Sequence, residues 1–253
     1  MKEQIHTIPI SEAFSSNDEC PFCYIEREAE QRLLRLTLGA SASYMEPEMR
    51  RVTNKYGFCR GHYKKMFDFS NALGNALIMQ SYMGGLIEEM QYVRAEQRVP
   101  GKKGLFRKKE ERQEDPMLTW AKQKQSSCYI CDRLEETMDR SYGVFFSLLK
   151  EEEFRQRVES CKGFCMGHFA QLLEAAQTRL PGKYHDWFYA TIPELMQKNL
   201  ERVKEDLDWF TAKYDYRNAS ADWKNSRDAV QRSMQKLQGG YPADPPYRDK
   251  GRP

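Results

Sequence analysis

Cys128-Tyr129-Ile130-Cys131-Asp132-Arg133-Leu134-Glu135-Glu136-Thr137-Met138-Asp139-Arg140-Ser141-Tyr142-Gly143-Val144-Phe145-Phe146-Ser147-Leu148-Leu149 joins two signals in one stretch. It opens on a C-x2-C pair. It then places Leu134, Met138, Tyr142, Phe145 and Leu149 at intervals of three and four, the apolar stripe of an amphipathic helix. The same period extends outward. Asp115-Pro116 supplies an N-cap and a first helical position upstream. Downstream, Leu172, Leu173 and Ala176 mark a helix that Leu180-Pro181-Gly182 breaks. A long helix over 184–214 follows, carrying Leu195, Leu200, Val203, Leu207 and Phe210, with Ile192-Pro193 read as a kink or restart. In the first half, a charged helix over 24–38 carries Leu33, Leu34 and Leu38 and stops at Gly39. A short helix covers 47–52. A long one over 70–97 is expected to pack Leu73, Leu77, Met83, Ile87, Met90 and Val93 on one face and to bend at Gly84-Gly85. Alternating strand patterns are scarce, so the chain reads as all-α.

The cysteines add an internal repeat. Cys20-x2-Cys23 precedes Cys59-x2-His62, and Cys128-x2-Cys131 precedes Cys165-x2-His168. The step from Cys20 to Cys128 equals that from Cys23 to Cys131, and the step from Cys59 to Cys165 equals that from His62 to His168 and is only two positions shorter. Gly57-Phe58-Cys59-Arg60-Gly61-His62-Tyr63 matches Gly163-Phe164-Cys165-Met166-Gly167-His168-Phe169 at five of seven positions. A duplicated module accounts for this register, and the expected architecture is two tandem metal-knuckle helical modules packed as one bundle.

Each repeat holds three cysteines and a histidine, a standard donor set for tetrahedral zinc. Six of the seven cysteines and two of the four histidines fall in the pattern, which makes isolated core cysteines a poor explanation. The expected metal ligands are therefore Cys20, Cys23, Cys59, His62, Cys128, Cys131, Cys165 and His168, holding two zinc ions per chain. An iron-sulfur cluster is the less favoured cofactor, because its usual C-x2-C-x2-C run is missing. The stretches 24–58 and 132–164 between half-sites are longer than the gaps of common zinc fingers, so a helical insertion is expected, with each ion clamping the start of one helix to the start of another. Spacing leaves open whether each repeat closes its own site or the knuckles pair across repeats; local pairing is the simpler arrangement. The glycine inside each C-x-Gly-His, Gly61 and Gly167, is read as supplying a positive φ for a tight turn. Cys20-Pro21-Phe22-Cys23 also has the form of a redox dithiol, but no βαβ pattern surrounds it and Cys128-Tyr129-Ile130-Cys131 lacks the proline. Cys161 lies outside the repeat and is read as a spare thiol. His6 and His185 are read as ordinary residues.

Composition bounds the partners. Among 253 residues, 40 Lys and Arg face 37 Asp and Glu, a balance that does not demand nucleic acid or an anionic membrane. No apolar run exceeds four residues and no secretory signal is evident, so no membrane span is expected and the expected location is cytoplasmic, where thiols stay reduced. The expected organisation is a first repeat over 1–97, a basic linker over 98–114, a second repeat over 115–216, and a polar helix with a disordered tail over 217–253. The linker carries Arg98, Lys102, Lys103, Arg107, Lys108, Lys109 and Arg112 against Glu110 and Glu111. A solvated linker is preferred there over a nucleic-acid arm. The polar helix over 220–237, with Trp223, Val230, Met234 and Leu237, is expected to pack loosely.

Glu19-Cys20-Pro21-Phe22-Cys23, Gly57-Phe58-Cys59 and His62, together with Ile8-Pro9-Ile10-Ser11-Glu12-Ala13-Phe14, resemble a bacterial family of unknown function common in anaerobic Gram-positive organisms. The resemblance covers most of the chain up to Asp215, carries the eight ligands over, and implies no activity. Four protein donors per ion leave no open coordination position, and the chain has no HExxH, GxSxG or phosphate-cradling loop. These features favour a non-enzymatic helical scaffold for an unknown protein or small ligand. The alternative is a thiol- or metal-dependent enzyme, or a metal- or sulfur-handling protein, in which a thiolate of one site, or Cys161 beside Cys165, exchanges metal or reacts with substrate.

Overall fold

In the computed structural model, residues 7–39, 46–96 and 115–240 are described. They form eleven α-helices and no strand, so the chain is all-α. The helices are α1 (Ile8–Ser15), α2 (Pro21–Leu38), α3 (Pro47–Tyr56), α4 (Arg60–Asp68), α5 (Ala72–Glu96), α6 (Pro116–Ser126), α7 (Tyr129–Leu148), α8 (Glu152–Ser160), α9 (Met166–Arg179), α10 (His185–Ala212) and α11 (Ala229–Gln238). The basic linker and the stretch 241–253 lie outside the described residues, as does His6.

Local chemistry places most helix ends. Pro21, Pro47 and Pro116 open their helices, where a missing N–H costs nothing. The Asp115 carboxylate accepts the Met117 N–H at 2.9 Å, and Gly39 follows α2 with its N–H on the Arg35 carbonyl. Helix α10 runs through Pro193 without a restart.

The described chain divides into two compact units. One contains residues 7–30 and 134–240, and the other falls within 31–133. In the first, the α7 stripe is buried as its period requires, and Phe14, Phe22, Phe145, Phe154 and Phe164 form an aromatic core. Phe14 meets Phe154 edge-on at 5.3 Å between centroids, and Phe22 stacks on Phe164 at 5.8 Å. Phe22 and Phe164 are the residues inside the knuckle motifs, so the motif supplies core as well as donors.

The second unit is built on α5, against which α3, α4 and α6 pack. Its inward face carries Asn75 and Ile78, and the Asn75 amide donates to the Met66 carbonyl at 2.9 Å. The stripe expected to be core is not buried: Leu73, Met83 and Ile87 are 68, 58 and 60% exposed. Helix α5 has apolar residues around much of its circumference, so periodicity alone picks no single face.

The polar C-terminal helix also differs from expectation. It begins only at Ala229, and α11 packs firmly on α9 and α10. Lys236 is 1% exposed, its ammonium donating to the Glu19 carbonyl at 2.5 Å and to the Lys162 carbonyl, and lying 3.2 Å from the Glu19 carboxylate.

Candidate metal centres

Each half-site starts a helix. Cys20 precedes α2 and Cys128 precedes α7, while Cys59 and Cys165 are the N-caps of α4 and α9. The second donor of each pair falls in the first helical turn. Helix starts present unpaired N–H groups and positive dipole ends, which favour thiolate over thiol. The N–H of Cys23 points to Cys20 Sγ, and that of His168 to Cys165 Sγ, each at 3.4 Å. Gly61 and Gly167 are therefore helical, contrary to the turn expected for them. The positive φ lies upstream, at Gly57 (φ 61°) and Gly163 (φ 75°), where the chain reverses before entering the knuckle. At Gly57 a Cβ would stand 2.5 Å from the Tyr82 ring, so this position is closed to side chains on two counts.

The eight expected donors gather into two clusters, Cys20, Cys23, Cys165 and His168 in one unit, and Cys59, His62, Cys128 and Cys131 in the other. Within each, the donor atoms lie within 4.8 Å of one another, so each cluster could hold a metal ion. The pairing crosses the repeats, and the simpler local arrangement is not the one formed. Each repeat contributes its C-x2-C to one cluster and its C-x2-H to the other.

Zinc geometry tests the fit. With Zn–S about 2.3 Å and Zn–N about 2.0 Å, tetrahedral angles put S···N at about 3.5 Å and S···S at about 3.8 Å. In the first cluster, His168 Nδ1 lies 3.5, 3.4 and 3.2 Å from the sulfurs of Cys20, Cys23 and Cys165. In the second, His62 Nδ1 lies 3.2, 3.2 and 3.4 Å from those of Cys59, Cys128 and Cys131, and Cys59 Sγ stands 3.8 Å from Cys131 Sγ. Both donor sets fit a tetrahedral ion with histidine bound through Nδ1. Glu26 Oε2 lies 3.7 Å from His168 Nε2, near the imidazole but beyond direct hydrogen-bond distance.

The clusters differ in shielding. In the first, all four residues are buried, from 0% exposure at Cys20 to 6% at His168. The Gly239 backbone covers it: a Cβ there would stand 3.2 Å from Cys165 Sγ and 3.6 Å from Cys23 Sγ, and its φ of 69° suits glycine. In the second, Cys128 and His62 are buried, Cys59 is half-buried and Cys131 is exposed. The Ser127 hydroxyl on the Tyr56 carbonyl (2.7 Å) and the Tyr129 N–H on the Gly57 carbonyl (2.9 Å) hold its two knuckles together.

Proton affinities reflect crowded donors. Burial, then hydrogen bonds with Cys165 and Cys23, raises the Cys20 thiol well above its usual range. Hydrogen bonds from Cys20 and Cys23 hold Cys165 far below it. Burial acts to lower His168, but Cys165 and Cys23 outweigh it and push the imidazole up to about 10. In the second cluster, burial opposes ionisation of Cys128, yet His62 and the backbone N–H groups of Cys131 and Cys59 bring it down to about 6. Burial and the neighbouring Cys128 raise Cys131. Cys161 belongs to neither cluster, and burial raises it to about 11, the opposite of an activated thiol.

Sequence reasoning missed the residues that seal the first cluster. Glu19, 4% exposed, pairs with Arg202 at 2.5 Å and Lys236 at 3.2 Å, while Gln235 donates to Asp18 at 2.7 Å. Glu19 beside Cys20 was the available signal; its partners sit on α10 and α11, at the far end of the chain.

The family model described as a family of unknown function, DUF6062, matches residues 1–244, and the chain belongs to that family. No curated protein and no solved structure matches the chain.

Proposed function

We propose that this member of the family is a non-enzymatic helical scaffold stapled by two structural zinc ions, one per Cys3His cluster, that binds a partner protein or small ligand in the cytoplasm. The carrying observation is the convergence of four helix starts, in pairs, on two four-donor sets of tetrahedral dimensions. Zinc is favoured by three thiolates plus one imidazole, and a structural role by a donor set that fills the coordination sphere. A reducing compartment agrees with seven cysteines none of which is paired in a disulfide. No described helix is long and apolar enough to cross a membrane.

A ligand-binding role draws support from a cavity of about 340 Å³ between α4 and α5, lined by Tyr63, Phe67, Met79, Tyr82, Met83 and Leu86. Such a volume with mostly apolar walls suits a small apolar molecule. Burial holds the Tyr63 phenol up at about 12, so it stays a neutral hydrogen-bonding group.

Cobalt substitution tests the metal reading. Two equivalents of Co2+ should give intense tetrahedral d–d bands and thiolate charge transfer, whereas weak octahedral absorption would refute the donor sets. For the cavity, a neutral naphthylamine dye should bind with enhanced emission, and Met79→Trp should abolish it.

A further inference from the structure

The two donor sets are alike in composition and unlike in access. In one, every sulfur is buried and the Gly239 backbone lies over two of them. In the other, Cys131 is exposed, and its sulfur lies 3.8 Å from that of half-buried Cys59. Cys128, the remaining sulfur of that set, is 2% exposed. Nucleophilic reaction needs a thiolate and an open approach to the sulfur. A metal-bound cysteine meets the first condition at neutral pH, and Cys131 alone meets both fully.

Resting on the metal reading above, we propose that Cys131 is an oxidant-modification site, through which a hydroperoxide converts Cys59 and Cys131 to a disulfide and empties that centre alone. The Cys131 thiolate attacks one peroxide oxygen. The O–O bond breaks, Cys131 becomes a sulfenic acid, and the departing hydroxide of hydrogen peroxide, or the alkoxide of an organic hydroperoxide, takes a proton from solvent to give water or an alcohol. The Cys59 thiolate then attacks the Cys131 sulfur, forming the S–S bond and displacing a hydroxide, which is likewise protonated. Two thiolates lose two electrons in total, one hydroperoxide is reduced, and two protons are consumed. The sulfurs close from 3.8 Å to about 2.05 Å, a small movement for two residues at helix starts. His62 and Cys128 alone are too few donors to retain the ion. The α4 and α7 starts stay tied, now covalently, while the buried centre is unchanged.

The test uses the full chain, with metal content measured before any oxidant is added. One equivalent of hydrogen peroxide should release one of two zinc ions to a chromogenic chelator. Peptide mapping should find Cys59 joined to Cys131, with Cys20, Cys23 and Cys165 reduced, and dithiothreitol plus zinc should restore the second equivalent. In untreated metal-loaded protein, N-ethylmaleimide should label Cys131 at least about tenfold faster than any cysteine of the buried set. Cys131→Asp, which keeps four donors, should suppress peroxide-driven release. Should that variant fail to hold metal, the labelling order and the disulfide map of the natural chain still decide. Release of both ions together, a disulfide within the buried set, or equal labelling of the two sets would overturn the proposal and leave the metal reading intact. A chain with no metal at the outset would overturn the metal reading itself.

Discussion

Cys23 Sγ and His168 Nδ1 stand 3.4 Å apart although 145 residues separate them in sequence. The same exchange joins His62 to Cys128 at 3.2 Å. Neither C-x2-C pair clusters with the C-x2-H pair that follows it in sequence, so an ion held in either cluster would tie the first half of the chain to the second.

Energetic coupling should follow the centres and not the repeats. Cys23→Ser and His168→Ala remove donors from one set, so the second substitution should cost little once the first is made, a coupling of about 1–3 kcal/mol. Cys23→Ser and His62→Ala belong to one repeat but to different sets, and their effects should add. Chemical denaturation of the three single and two double variants, with metal content alongside, checks this; coupling between Cys23 and His62 instead would point to local pairing.

The α11 cover should matter to the buried centre alone. Gly239→Ala forces a left-handed backbone on alanine and sets a methyl against Cys165 Sγ, which should cost about 1–2 kcal/mol. Lys236→Met strips charged hydrogen bonds from two carbonyls and should cost about 2 kcal/mol. Both should speed zinc loss to a chelator from the buried centre, leaving the exposed one at its natural rate. Equal acceleration at both would show that the effect is general unfolding.

Metal affinity at the buried centre should rise with pH. Without metal, His168 titrates at about 10 and Cys20 well above its usual range, so between about pH 6 and 9 both carry protons that an ion must displace. Each displaced proton makes affinity climb about tenfold per pH unit, so affinity should rise by at least about that factor per unit. The metal-free fold has the opposite sign at His168: its raised pKa stabilises fully below about 6.5 and is lost as pH rises through about 10. Chelator competition across this range checks the first statement, and an affinity flat in pH would contradict it.

Much of this was legible in the chain. The α7 stripe, the Asp115 cap, the Gly39 stop and the helix-start positions of the eight clustered cysteines and histidines each depend on residues a few positions apart, and local chemistry dictates them. The meeting of helix starts in pairs followed from gaps too long for a finger. The partner of each knuckle did not follow, because the stretches 24–58 and 132–164 suit local and crossed closure equally. Nor did the burial of Lys236, whose ammonium is accommodated only because Glu19, 217 residues away, supplies a carbonyl and a carboxylate. Periodicity marked α5 as apolar but not which side its neighbours cover, so Leu73, Met83 and Ile87 were misplaced.

Scaffold, coupling and oxidant response all turn on the proposal that the two Cys3His sets, each of which could hold a metal ion, bind structural zinc. Elemental analysis of untagged protein purified anaerobically, with the visible spectrum of the same sample, is the sharpest check. Two equivalents of zinc per chain and no colour are expected. Iron with acid-labile sulfide and a brown colour, or a folded protein holding no metal, would refute the zinc assignment.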